Sequence, residues 1–260
     1  MLIIKPFNGV FWCLLALVAA AVLLIGRAGR GMTERRRARL LIALCACNIV
    51  IFFVYKGFLS VDREFVEISG IDRFNWFNEL PLQLCNINMF LIPLGVLWKK
   101  RPVLGFSFFI APLGALMALV FPEQPFCGYS LLTPRVLGFY LTHALLIVCG
   151  LSVLALGFYR PNPKDYPGIV STFLILGLLA HGVNTLMRAA VCPHANYFFT
   201  YGADISILNI LWRMIPVPFV YELPLVLVLI AYMALVNLCC SAMDRIRLMH
   251  GEEEPESAGI

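Results

Sequence analysis

Polar side chains set within long apolar runs are where this sequence can do chemistry, because hydrocarbon makes such groups costly to keep. The run Leu80, Pro81, Leu82, Gln83, Leu84, Cys85, Asn86, Ile87, Asn88 holds three amides and a thiol, and Phe139, Tyr140, Leu141, Thr142, His143 brings an imidazole. An imidazole can draw the proton from a neighbouring thiol, and the thiolate then attacks an ester carbonyl to form a thioester. On that reading Cys85 is the nucleophile and His143 the base, with Gln83, Asn86 or Asn88 donating hydrogen bonds to the oxyanion. If both runs are helical, Cys85 shares a face with Asn88, and Tyr140 shares one with His143. At 1.5 Å per residue from Leu80 and Val136, the thiol and the imidazole lie about 8 and 10 Å along their helices. That is one level, in the outer half of a bilayer, where phospholipids keep their ester carbonyls. A plainer reading stands beside this one: an intramembrane thiol packs as a small hydrophobe, and an intramembrane imidazole bridges helices.

A third polar element is His181, Asn184 and Arg188, which fall on one helical stripe. Arg188 at its upper end either holds a lipid phosphate or snorkels to the interface, and His181 either orients a substrate or bridges helices. Two histidines within apolar runs are too few for a catalytic zinc site, which takes three protein ligands, so no metal is expected. No phosphate-binding loop, dinucleotide fingerprint or serine elbow occurs, and no cofactor is expected. Cys127 and Cys192 both fall in outer connections, where an oxidising compartment allows a disulfide if their distance does. Most of the nine cysteines instead sit in apolar runs, and Cys239 and Cys240 lie at a boundary where acylation is a second possibility.

The elements that must position these groups follow from composition. The chain is 61% apolar and 13% charged, which excludes an ordinary soluble enzyme. Seven apolar runs are each long enough to span a bilayer: 7–25, 39–59, 80–98, 103–121, 136–158, 168–190 and 219–240. The net charge of +5 is an orientation signal rather than a nucleic-acid footprint. Arg27, Arg30, Arg35, Arg36, Arg37 and Arg39 follow the first run, and Lys99, Lys100, Arg101, Arg160, Lys164, Arg245 and Arg247 fall on the same side. The expected fold is therefore an all-α seven-helix membrane bundle with its N-terminus outside and its C-terminus cytoplasmic. Residues 1–245 form the bundle, and 246–260 an acidic, disordered tail. Asp62, Glu64, Glu67, Asp72, Glu79, Glu123 and Asp204 fall on the outer side.

Two outer connections, 60–79 and 191–218, are rich in aromatics that read as interfacial anchors or as a lid over an outward-facing site. The string Glu79, Leu80, Pro81, Leu82 recurs as Glu222, Leu223, Pro224, Leu225. That echo is either a proline tolerated in a first helical turn or a trace of a three-plus-one-plus-three repeat. The second case implies a small-molecule transporter, and a non-enzymatic membrane protein is a further alternative.

Residues 79–94 (ELPLQLCNINMFLIPL), 139–148 (FYLTHALLIV) and the stretch from Asn184 through Asn196, Tyr197 and Phe198 resemble the YwaF-like family of integral membrane proteins. The resemblance covers most of the chain. Related animal members are transmembrane acyltransferases that place polyunsaturated chains on ether phospholipids through a cysteine and a histidine. It therefore implies catalytic roles for Cys85 and His143. Gln83, Asn86, Asn88, Tyr140, His181, Asn184, Arg188, Asn196 and Tyr197 are then expected around the substrate, with membrane phospholipids and lysophospholipids as partners. Bacterial relatives commonly carry a histidine where this chain has Gln83, so a second base at that position is absent or altered.

Overall fold

The computed structural model describes residues 2–202 and 206–249. Asp204, His250 and the acidic tail from 251 lie outside the described residues. Within them the chain is helical: α1 (Gly9–Gly29), α2 (Glu34–Leu59), α3 (Arg63–Ile68), α4 (Asn88–Trp98), α5 (Arg101–Val120), α6 (Pro134–Ala155), α7 (Tyr166–Ala190), α8 (Ser206–Met214) and α9 (Leu225–Met249). Local signals set several ends. The Asn8 side chain accepts from the Phe11 N–H at 2.9 Å and caps α1. Proline opens α5, α6 and α7 within the first two positions, where its missing donor is harmless.

Six of these helices, α1, α2, α5, α6, α7 and α9, are long and apolar enough to cross a membrane. They coincide with six of the seven expected spans. The remaining expectation, a helix over 80–98, is corrected: α4 begins only at Asn88 and has 11 residues, about half a bilayer in length. Residues 79–87 form turns instead, with Leu82 N–H donating to the Leu80 carbonyl at 2.7 Å and Ile87 N–H to Gln83 at 3.0 Å. Pro81 biases Leu80 towards an extended backbone. The Asn88 amide then donates to the carbonyls of Leu84 (2.8 Å) and Cys85 (3.3 Å), offering the backbone an alternative to a helical ladder. Cys85 is thus on a turn, and neither its depth counted along a helix nor its shared face with Asn88 applies. The two Glu-Leu-Pro-Leu strings also fold differently, one as this turn segment and one directly opening the 25-residue α9.

Helix α6 is the hub, with 78% of its most apolar window buried against 11% for α1 and α9. It packs on α1, α2, α4 and α5, while α7 leans on α5 and α9 leans on α7. Close approach of α2 to α6 needs a glycine: a Cβ at Gly138 would collide with the Tyr55 side chain. The arginine-rich end is tied by Arg101 to Asp165 (2.7 Å), Lys99 to Glu34 (3.0 Å), Arg160 to Asp244, and Arg37 to the Leu156 carbonyl (2.9 Å). At the opposite end, Arg135 is 2% exposed and pairs with Asp62 (3.1 Å) and Glu64 (2.7 Å), under the Tyr129 ring. Its hydrogen bond holds the Glu64 carboxyl below the usual carboxylate range.

Replacing Gly138 by Val should force α2 from α6 and destabilise the bundle by about 1–3 kcal/mol, as overpacking of a tight core does. The melting temperature in detergent should fall clearly. Gly57→Ala, on α2 where an added Cβ meets open space, should melt like wild type.

Candidate functional site

The turn segment 79–87 places Cys85 against α5, where a Cβ on Gly114 would sit 3.1 Å from the Cys85 Cβ. Gly114 is therefore the hollow that admits the cysteine. The thiol is part-buried and donates to Asn86 Oδ1 at 3.7 Å. The Asn86 amide nitrogen has no protein partner, so a donor remains available beside the thiol.

His143 is buried on α6 and its Nδ1 lies 2.8 Å from the Phe139 carbonyl, one turn back on the same helix. A carbonyl only accepts, so Nδ1 carries the proton and Nε2 keeps its lone pair. No hydrogen bond joins Cys85 to His143. Both lie within electrostatic reach of one cation, Lys56 on α2. Lys56 is paired with Glu79, donates to the Tyr55 hydroxyl at 3.0 Å, and sits over the rings of Tyr55 (4.6 Å) and Phe52 (5.5 Å). Tyr140, on α6 against Phe139, is fully buried with its hydroxyl unpartnered.

The other expected residues fasten the connection 192–202 onto the turn segment. Asn184 is fully buried, donating to the Tyr197 carbonyl (2.8 Å) and to Thr200 (2.9 Å), and accepting from the Tyr197 N–H (2.8 Å). The Tyr197 hydroxyl donates to the Phe77 carbonyl at 2.5 Å; burial pushes this phenol up to about 12, so it stays a donor. Gln83 Oε1 accepts from the Phe198 N–H at 3.1 Å. Asn196 donates to the Gly202 carbonyl (2.6 Å) and accepts from the Tyr201 N–H (3.0 Å). Arg188 donates to the Ala195 carbonyl at 3.2 Å and covers the Tyr201 ring at 4.5 Å. His181 lies 3.3 Å from the Thr200 hydroxyl and stacks on Tyr201. Asn88 uses its amide nitrogen on backbone carbonyls, as described above. Cys127 and Cys192 are free thiols, and Cys192 donates to Asn78 Oδ1 at 3.0 Å.

Beneath this clasp is a partly open apolar cleft of about 100 Å³. Leu82 and Ile87 of the turn segment form one wall, Leu176, Leu179, Ala180 and Val183 of α7 the other, and Tyr197 and Phe198 the roof. Phe198 and Phe199 hold left-handed backbone angles (φ 57° and 62°), which bulky side chains rarely adopt. The bonds from Gln83 and Asn184 keep them there. Sequence reasoning missed Lys56, Gly114 and Asn78. A single lysine near the end of an apolar run was the available signal for the first of these.

Six membrane-length helices, a core of apolar residues and a site set among them define a multi-pass helical membrane protein. The model of the TMEM164 family matches residues 6–237, and the chain belongs to that family. No curated protein and no solved structure matches it. Among the described residues no group of three or more histidine, cysteine or acidic side chains is placed to hold a metal.

Replacing Asn184 by Ala leaves the buried N–H of Tyr197 without a partner and its carbonyl with only the long 3.5 Å bond from the Thr200 N–H, a cost of about 2 kcal/mol. Amide exchange at residues 196–200 should rise markedly while α5 and α6 stay protected. Unchanged exchange there would show that the clasp does not depend on Asn184.

Proposed function

We propose that this protein is an intramembrane phospholipid acyltransferase or transacylase in which Cys85 is the nucleophile and His143 the base. The observation that carries the reading is the fixed tautomer of His143. Its Nδ1 proton is held by the Phe139 carbonyl, which leaves Nε2 as the basic nitrogen, and the proposed partner is a part-buried thiol carried on a turn rather than a helix. The YwaF-like resemblance supports the same two residues.

In the proposed reaction Nε2 takes the thiol proton and the sulfur attacks an ester carbonyl of a phospholipid. The carbonyl oxygen becomes an oxyanion, to which the free amide of Asn86 donates. The C–O bond to glycerol then breaks, and the leaving alkoxide takes the proton from Nε2 as a lysophospholipid departs. The thioester remains on Cys85. A second lysophospholipid gives its hydroxyl proton to Nε2, attacks the thioester, and leaves as the new phospholipid while the sulfur regains the proton. The apolar cleft beside the turn segment suits part of one acyl chain of the lipid, entering between α7 and residues 82–87. The basic residues of the α1–α2 turn favour an orientation with the N-terminus outside and the site in the outer half of the membrane.

Purified protein in liposomes, given an isotope-labelled phospholipid and lysophospholipid acceptors, should exchange acyl chains by mass spectrometry. Cys85→Ala and His143→Ala should each reduce exchange by roughly 100-fold or more. Exchange that survives in Cys85→Ala contradicts the reading. Ala180→Trp, which fills the cleft without touching the sulfur, should lower transfer of long chains more than of short ones.

A further inference from the structure

A lysine buried in a membrane-length helix is costly, and Lys56 retains only 11% of its side-chain exposure. As a staple alone it is replaceable, since an apolar pair of similar size is often as stable as a buried ion pair. Its neighbours point elsewhere. Tyr55, the preceding residue, seats in the hollow of Gly138, next to the Phe139 whose carbonyl fixes His143. Lys56 holds Glu79, the first residue of the segment that carries Cys85 to its hollow at Gly114. Two consecutive residues of α2 thereby hold the two halves of the site.

We propose that Lys56 is a positioning residue of this site: through Glu79 it holds the turn that carries Cys85, and its ammonium stabilises negative charge on the sulfur. The charge stays local, because the ammonium is held by Glu79 and the Tyr55 hydroxyl and lies against the Tyr55 and Phe52 rings. The titratable groups around Cys85 are few. Lys56 acts on it from α2 beside Tyr55, Glu79 lies on its own segment, His143 of α6 is within reach of the same Lys56, Glu123 acts from the α5–α6 connection on Glu79 and Lys56, and Tyr197 acts on both from the connection 192–202. Helix α5 meets Cys85 at Gly114 and has no ionisable side chain beyond Arg101 at its far end, and α4 has none. Opposite charges at 56 and 79 must therefore act on the sulfur with opposite sign. The role as part of catalysis rests on the proposed acyl transfer, whereas the effect on the sulfur does not.

The test is the rate at which iodoacetamide alkylates Cys85, followed from pH 7 to 12 on the full chain in phosphatidylcholine nanodiscs and resolved from the other cysteines by peptide mass spectrometry. Altered access changes the plateau rate; altered charge moves the midpoint. Glu79→Gln should move the midpoint down. Adding Lys56→Met to that variant should move it back up by about one pH unit, so that alkylation below the midpoint slows roughly tenfold. Lys56→Arg should stay near wild type. Equal midpoints in Glu79→Gln and the Lys56→Met/Glu79→Gln double variant would overturn the proposal. Should the double variant not be recovered as a monodisperse protein, a Glu79→Gln midpoint that is unchanged or raised overturns it equally. Alkylation is read whether or not acyl exchange occurs, so a failure of the acyltransferase reading is seen separately, in the liposome assay.

Discussion

Backbone amides at membrane depth have no water to bond to, so any departure from a helix there must be satisfied from within the protein. Residues 79–87 are such a departure, and much of the rest of the structure follows from accommodating it. Side chains supply what a helical ladder would have supplied: the Asn88 amide serves the carbonyls of Leu84 and Cys85, and Gln83 binds the Phe198 N–H. The ion pair between Lys56 and Glu79 anchors the entrance of the segment to α2. A cysteine on a turn is free of helical neighbours on its own chain, and here it reaches α5 at Gly114 while an apolar cleft opens on the other side of the same segment.

Helix α7 is coupled to this segment without packing tightly into the bundle. Its polar stripe, Asn184 above all, holds the connection 192–202, and that connection holds the segment through Tyr197 to Phe77, Cys192 to Asn78 and Phe198 to Gln83. The left-handed angles at Phe198 and Phe199 persist because these bonds over-determine them. The roof of the cleft and the position of the thiol thus rest on the same few hydrogen bonds, and a change in α7 is felt at Cys85.

Composition and run length made six full-length helices legible, because a bilayer imposes one length on every such helix. The third run was not, since a stretch such as Leu80 to Trp98 is equally apolar whether it is helix or turn. Pro81 and the cluster Gln83, Asn86 and Asn88 were the available signals, and they signify caps and turns as readily as a ligand site. Cys85 and His143 stood out because a thiol and an imidazole are rare company in hydrocarbon. The partners that give them their surroundings were hidden. Gly114 and Gly138 matter only through the side chains that fill their hollows, and Lys56 only through an acid 23 positions along the chain. Asn184, Asn196 and Tyr197 looked like ligand groups because buried amides and phenols do, whereas their hydrogen bonds go to backbone and, for Asn184, to the Thr200 hydroxyl as well.

The central claim is a covalent one, that an acyl chain passes through the sulfur of Cys85. Intact-protein and peptide mass spectrometry after brief incubation with phospholipid, quenched in acid, tests it most directly. The account predicts an adduct of one acyl chain on the peptide carrying Cys85, released by hydroxylamine and absent from His143→Ala at the same time point. Acyl exchange proceeding with Cys85 unmodified, or with the adduct on another residue, would contradict it.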